Sequence, residues 1–240
     1  MNDARNGDGS ARVVVRIGDT VRRPAGYWTP AVHALLSHLE KVGFEGAPRV
    51  IGLDPESEIL TYVEGETLAA DAAFDDDILV SVGALLRSYH DAAASFTPPT
   101  WARWKSTSGP TAGALVCHND LCAGNVVFRN RKAIGIIDFD FAHPADPSWD
   151  LAVAAWHWVP FSTDSAGGQV PESDWPARLR LLVDSYGVES RRRHEVLIAA
   201  ADLTRRMRDN RARDGLDTGR FDLSLDALDR QRTALIDALG

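Results

Sequence analysis

The stretch Val116-Cys-His-Asn-Asp-Leu-Cys-Ala-Gly-Asn-Val-Val-Phe128, followed by Ile136-Ile-Asp-Phe-Asp140, decides the fold of this 240-residue chain. Its apolar runs, 126–128 and 133–137, predict two short strands joined by a hairpin. Four residues separate Asp120 from Asn125, and Asp138 follows Asn125 by thirteen. A hairpin of this length brings Asp138 back beside Asn125. The segment therefore predicts two carboxylates and an amide that converge at the strand ends.

Magnesium-dependent phosphoryl transfer needs this set of side chains. A carboxylate orients the attacking hydroxyl and accepts its proton, and hard oxygen atoms hold the metal beside the phosphates. Protein kinases use the pattern H-R-D-x-x-x-x-N, followed by an aspartate at a strand end. His118, Asp120 and Asn125 have the same spacing here. Asp and Asn are also ordinary turn residues, but the complete set within 21 residues favours kinase chemistry.

Two further segments extend the pattern. Ala142-His-Pro-Ala-Asp-Pro-Ser-Trp-Asp150-Leu-Ala follows the second strand, and Tyr62-Val-Glu-Gly65 lies upstream. With the central motif, they resemble the aminoglycoside phosphotransferase and choline kinase-like family. The start of the chain is similar to that of the short actinobacterial phosphotransferases of the trifolitoxin-immunity-like branch. The resemblance extends weakly over nearly the whole chain.

The resemblance implies roles for the central residues. Asp120 is the expected catalytic base, near its ordinary ionised state, and Asn125 and Asp138 are the expected Mg²⁺ ligands. His118 is placed with the catalytic residues as the brace of their loop. Asp150 would cap this loop from the helix that follows.

The resemblance also implies an α+β class and a bilobal, protein-kinase-like fold. Residues 1–65 would form a small β-rich N-terminal lobe with one helix, and residues 66–240 a larger, mostly helical C-terminal lobe. ATP or GTP would bind between the lobes, its base beside the backbone of Tyr62 and Val63. A hydroxyl group of a small molecule, such as an antibiotic or a natural-product intermediate, would accept the phosphoryl group.

The pattern departs from the family at the phosphate site. Kinases hold the phosphates with a lysine on the third strand, paired with a glutamate on the next helix. This chain has Arg23 in that region, and His33 or Glu40 could face it from the predicted helix. The segment 7–10 is a weak counterpart of a glycine-rich loop. Arginine and lysine are not geometrically equivalent, so weak nucleotide binding is expected.

Composition limits the partners. The net charge of −8 argues against nucleic-acid binding, which needs a basic surface. Residues 54–95 carry ten acidic residues against Arg87 alone, apart from histidine, which favours a cationic acceptor. The sequence has no run of about 18 apolar residues and no apolar signal segment at its start. We therefore expect a cytoplasmic protein without a membrane span, either a monomer or a dimer.

Two other functions remain open. A catalytically degraded relative could act by binding alone, as an immunity protein, and the missing lysine favours this alternative. A metal-dependent hydrolase built on Asp138 and Asp140 would need further His or Asp ligands. Asp140 itself is interpreted as a solvated turn residue, with a substrate contact as the alternative.

Overall fold

A computed structural model describes residues 14–54, 56–69, 74–105, 115–161 and 170–240 of the chain. The glycine-containing segment 7–10, which the sequence analysis singled out, lies outside these residues. Within the described ranges, no helix is both long and apolar enough to cross a membrane.

The N-terminal part is an antiparallel four-stranded sheet with one helix. The strands are β1 (Val15–Ile17), β2 (Thr20–Pro24), β3 (Val50–Leu53) and β4 (Ser57–Thr61), in the order β1-β2-β4-β3. Helix α1 (Thr29–Lys41) connects β2 to β3 and buries Val32, Leu35, Leu36 and Leu39, the periodic apolar positions that predicted it. The sheet presents Arg23 and Glu58, which are paired across β2 and β4, to the rest of the molecule.

A short linker, Tyr62–Gly65, leads into β5 (Glu66–Thr67), which pairs with β7 of a second sheet. Gly65 has φ of 151°, and a Cβ atom there would lie 2.5 Å from the Phe128 carbonyl oxygen. Only glycine accommodates both the conformation and this close approach. The linker is therefore fixed tightly against β7, the strand that follows Asn125.

The C-terminal part is mostly helical around two small sheets. Its remaining elements are α2 (Asp76–Ala93), β6 (Leu115–Cys117), β7 (Val126–Arg129), β8 (Lys132–Ile136), β9 (His143–Ala145), α3 (Pro147–Trp158), α4 (Trp175–Tyr186), α5 (Arg193–Arg213), α6 (Gly219–Arg230) and α7 (Arg232–Leu239). The predicted hairpin is present as β7 and β8, and β6 pairs with β9. The core surrounds these sheets, with Tyr89, Phe139 and Trp158 almost completely buried.

Three features of the fold are not apparent from the sequence. The strands β5 and β9 are too short to leave a periodic pattern. The C-terminal residues 219–239 form two helices rather than one, and the first of them begins at Gly219. The break falls at Gln231, because α6 packs on α5 whereas α7 packs mainly on α4.

Candidate active site

The loop after β6 carries the first part of the site, and Asp150 fixes its shape. Asp150, at the start of α3, has no exposed surface. Its carboxylate accepts hydrogen bonds from the backbone amides of His118 and Asn119, each 2.8 Å long. His90 donates a third, of 3.0 Å. Although burial acts to raise it, these bonds hold the pKa of Asp150 below its ordinary value. The predicted cap is confirmed.

His118 braces the same loop from inside the core. Its Nε2 donates to the carbonyl oxygen of Ile137, 3.0 Å away, and its ring meets Phe139 edge to face. Burial lowers the pKa of His118, so the ring is neutral at pH 7. Since the side chain is completely buried, the structure places it as a positioning residue that joins the loop to the end of β8.

Asp120 and Asn125 face each other across the loop. Asn125 Nδ2 donates to both the carbonyl oxygen and Oδ2 of Asp120, each at 2.9 Å. Burial, together with the nearby charge of Asp138, raises the pKa of Asp120 to about 7. The expectation that Asp120 lies near its ordinary ionised state is therefore wrong for the metal-free protein, because that expectation took account of neither burial nor the second carboxylate.

The hairpin returns Asp138 to the site. The amide of Ile137 donates to the carbonyl oxygen of Asn125 over 2.9 Å, so Asp138 directly follows a residue bonded to Asn125. Asp138 has φ of 62°, an uncommon value for a non-glycine residue, and its side chain is 46% exposed. Asn125 uses Nδ2 on Asp120, which leaves Oδ1 as a ligand atom. An amide oxygen and a solvent-facing carboxylate fit Mg²⁺.

Arg23 connects the N-terminal sheet to this loop. Its three guanidinium nitrogens contact three carboxylates: Nε reaches Glu58 Oε1 over 2.7 Å, Nη1 reaches Asp138 Oδ1 over 2.7 Å, and Nη2 reaches Asp140 Oδ1 over 2.8 Å. Although burial opposes the charge, these carboxylates raise the pKa of Arg23. Arg23 therefore lies at the predicted phosphate position, beside the expected metal ligand.

The partner of Arg23 differs from both candidates. Glu58, on the neighbouring strand, is 1% exposed and joins Arg23 to His33, whose Nε2 lies 2.6 Å from Glu58 Oε2. Glu40 lies 3.9 Å from Arg49 instead. The helix thus supports Arg23 through a carboxylate supplied by the sheet. Sequence reasoning missed Glu58, which lies two residues from the buried Leu60 and therefore on the same face of β4; this spacing was the available signal.

Asp140 and Lys105 complete the charged cluster. Asp140 is only 16% exposed and bonds Lys105 Nζ through Oδ2 at 3.0 Å, so its interpretation as a solvated turn residue is wrong. The ammonium of Lys105 also lies 4.6 Å from the ring centres of Trp28 and Phe141. Nothing in the sequence around Lys105 marked it, apart from the scarcity of lysine in the chain.

The linker contains Tyr62 and Val63, beside whose backbone a nucleobase is expected. Tyr62 donates its amide hydrogen to the carbonyl oxygen of Asp19 in the β1–β2 turn over 2.8 Å, and the binding of a base beside the linker stays a prediction. Val63 makes no such contact in the part of the chain that the structure describes. Two cavities of about 760 and 680 Å³ flank the linker, and Tyr62 and Glu64 line both.

Comparisons with known proteins agree with this geometry. Residues 108–182 match the phosphotransferase enzyme family (APH). The trifolitoxin immunity protein of Rhizobium leguminosarum bv. trifolii is 33% identical over 203 residues, which are 80% of this chain and 77% of that protein.

Solved structures share the fold at low sequence identity. A choline/ethanolamine kinase family protein from Mesorhizobium loti has a TM-score of 0.65 and 16% identity, with 96% of this chain and 90% of that one covered. The ADP-bound aminoglycoside phosphotransferase APH(2'')-Ib has a TM-score of 0.56 and 13% identity, with 93% of each chain covered. Both have the protein-kinase-like fold, which this chain therefore shares.

Proposed function

Because this chain belongs to the phosphotransferase enzyme family, in which the trifolitoxin immunity protein is a relative, we propose that it transfers the γ-phosphoryl group of ATP or GTP to a hydroxyl group of a small molecule. The donor nucleotide binds between residues 1–65 and 66–240. One observation carries the proposal: Asp120, Asn125 and Asp138 converge at the strand ends, and the guanidinium of Arg23 lies beside them.

Asp120 is the base in this reaction. Its carboxylate orients the acceptor hydroxyl and takes its proton as the hydroxyl oxygen forms a bond to the γ-phosphorus. The bond between that phosphorus and the β,γ-bridging oxygen breaks, and the nucleoside diphosphate leaves.

Asn125 Oδ1 and the Asp138 carboxylate are the proposed Mg²⁺ ligands. The bound ion would neutralise charge on the phosphates. The hydrogen bond from Asn125 Nδ2 to Asp120 ties the metal ligand to the base, so both are held in one geometry. Asp150 and His118 contribute by keeping the loop between them in place.

Arg23 replaces the lysine that binds the phosphates in kinases. A guanidinium has five donors in a fixed plane, and it can bind a phosphate oxygen while it keeps Glu58. Of the carboxylates bonded to Arg23, Glu58 is 1% exposed, whereas Asp138 is 46% exposed. The phosphate would therefore approach Arg23 from the Asp138 side.

We propose the chemical class of the acceptor, which is a cationic small molecule. The ten acidic residues within 54–95 favour a cationic molecule. A binding protein without turnover is the second candidate. The observation that favours it is the relative named as an immunity protein. Its protective effect would come from sequestering a molecule and would not need Asp120.

A transfer assay separates the two functions. The protein is incubated with Mg²⁺, γ-labelled ATP or GTP, and a panel of hydroxylated, aminated small molecules. Asp120→Asn should reduce labelling of the accepted molecule by about 100- to 10,000-fold, while Asp146→Asn, a change at the N-cap of α3, should leave it nearly unchanged. Binding of a panel member by both wild type and Asp120→Asn, with no label transferred, would favour the sequestering protein.

A further inference from the structure

Lysine is rare in this chain, and one of its three lysines lies in the candidate site. The 26 basic residues comprise 23 arginines and only Lys41, Lys105 and Lys132. Lys41 and Lys132 are exposed, whereas the side chain of Lys105 is 20% exposed. Partial burial within a cluster of carboxylates fixes the position of the Lys105 ammonium in the site.

Lys105 keeps hydrogen-bond donors that no described residue accepts. Its ammonium carries three N–H groups, and among the residues that the structure describes one hydrogen bond reaches it, the 3.0 Å bond to Asp140 Oδ2. Trp28 and Phe141 supply ring faces at 4.6 Å, which attract the cation without satisfying its donors. Lys105 therefore offers two N–H groups to an incoming oxygen.

Arg23, the other cation of the cluster, has no nitrogen without a partner. Nε, Nη1 and Nη2 each contact a different carboxylate. Asp140 binds Arg23 through Oδ1 and Lys105 through Oδ2. One carboxylate thus sets the distance between the two cations. Arg23 contacts Glu58 of the sheet and Asp138, and Lys105 is bonded to the other carboxylate oxygen of Asp140.

Contacts within the cluster connect Lys105 to the proposed metal ligand. Lys105 bonds Asp140, Asp140 bonds Arg23, and Arg23 bonds Asp138. Lys105 therefore belongs to the same charged cluster as the proposed phosphate and metal ligands. Charge develops on the equatorial oxygens of the phosphoryl group during transfer, and cations placed there stabilise the transition state.

We propose that Lys105 binds an oxygen of the transferred phosphoryl group, and that Asp140 is the positioning residue that holds Lys105 and Arg23 on either side of the phosphates. This assignment rests on the proposed phosphotransfer function. Lys105 remains protonated throughout, since the proton of the acceptor goes to Asp120. It contacts the γ-phosphate of the donor and the phosphate of the product, but no atom of the nucleoside diphosphate.

Nucleotide binding by calorimetry tests the assignment without turnover. Wild type, Lys105→Met, Lys105→Arg and the control Lys41→Met are titrated with ATP and with ADP, each with Mg²⁺. Loss of a charged hydrogen bond should weaken ATP binding by about tenfold or more, with ADP binding nearly unchanged. Lys105→Arg should restore part of the loss, and Lys41→Met, at an exposed position, should match wild type for both nucleotides.

Amine labelling of wild type gives a second measurement, which does not depend on the folding of a variant. ATP with Mg²⁺ should slow acylation of Lys105 several-fold, ADP should protect it much less, and the exposed Lys41 provides the internal reference. Equal protection by ATP and ADP, or equal loss of both in Lys105→Met, would overturn the role of Lys105 and leave the phosphotransferase proposal intact. If wild type binds neither nucleotide, the proposed function fails together with this assignment.

Discussion

Replacing Arg23 by methionine should destabilise the protein far more than the same change at Arg22. Arg23 is 14% exposed and faces three carboxylates, of which Glu58 is 1% exposed and Asp140 is 16% exposed. Arg22 is 51% exposed and pairs with the half-exposed Asp54. The two arginines are sequence neighbours on one strand, so they differ in their partners and burial rather than in local conformation.

Most of the stability lost in Arg23→Met comes from the charge of Glu58, which stays buried without its partner. Removing one member of a buried ion pair typically costs about 3–5 kcal/mol, because the other charge stays buried without compensation. His33 still bonds Glu58 in the variant, and Lys105 still bonds Asp140. Asp138 is too exposed to add much. We therefore expect about 3 kcal/mol for Arg23→Met, and at most about 0.5 kcal/mol for Arg22→Met.

Urea unfolding followed by circular dichroism at neutral pH measures both values. A double-mutant cycle with Glu58→Gln should give a coupling energy of about 2 kcal/mol between positions 23 and 58. The neutral amide of this variant leaves no buried charge when the guanidinium is removed. A cost for Arg23→Met equal to that of Arg22→Met, or additive single and double variants, would refute the assignment of a stabilising Arg23–Glu58 pair.

Three further predictions concern other parts of the fold. Asp150→Asn should cost about 2–4 kcal/mol in urea unfolding, because the amide cannot accept all three buried donors; Asp146→Asn, at the half-buried N-cap of the same helix, should cost about 1 kcal/mol. His157, whose pKa burial lowers to about 4, takes up a proton on unfolding below its ordinary pKa. Stability should therefore fall by about 2 kcal/mol between pH 6.5 and 4, and less in His157→Gln. Gly83→Ala should destabilise by about 1–3 kcal/mol rather than stabilise the helix, because the new Cβ would lie 2.0 Å from Ser185 Oγ; a rise in thermal midpoint would contradict this packing.

The central site was readable from the sequence because its signals are local. Asp120 and Asn125 immediately precede one hairpin and Asp138 follows it, and the apolar runs that predicted β7 and β8 are contiguous. A short-range pattern therefore determined this part of the geometry. The role of Asp150 came from the family resemblance instead, and its bond to the His118 amide agrees with that role.

The contacts of the charged cluster around these residues could not be predicted from the sequence, because they join residues that are far apart in the chain. Arg23 is 115 residues from Asp138 and 117 from Asp140, and Lys105 is 35 residues from Asp140. No periodicity connects such positions, and only the approach of the N-terminal sheet to the loop brings them together. The pKa of Asp120 follows from the same tertiary burial. The break at Gln231 was also hidden, because this residue carries no stop signal.

The ion pair between Arg23 and Asp138 has a thermodynamic consequence for ligand entry. The pair satisfies the cation and the anion with each other. At the proposed sites, a phosphate alone would therefore compete with Asp138, and a metal ion alone would compete with Arg23. A metal ion and a triphosphate that arrived together would each take one member, and the pair would be broken once for two ligands. Occupancy by one would then favour the other by the same factor in both directions. Such an exchange of partners would make the metal–nucleotide complex the preferred ligand of the proposed sites over either component by itself.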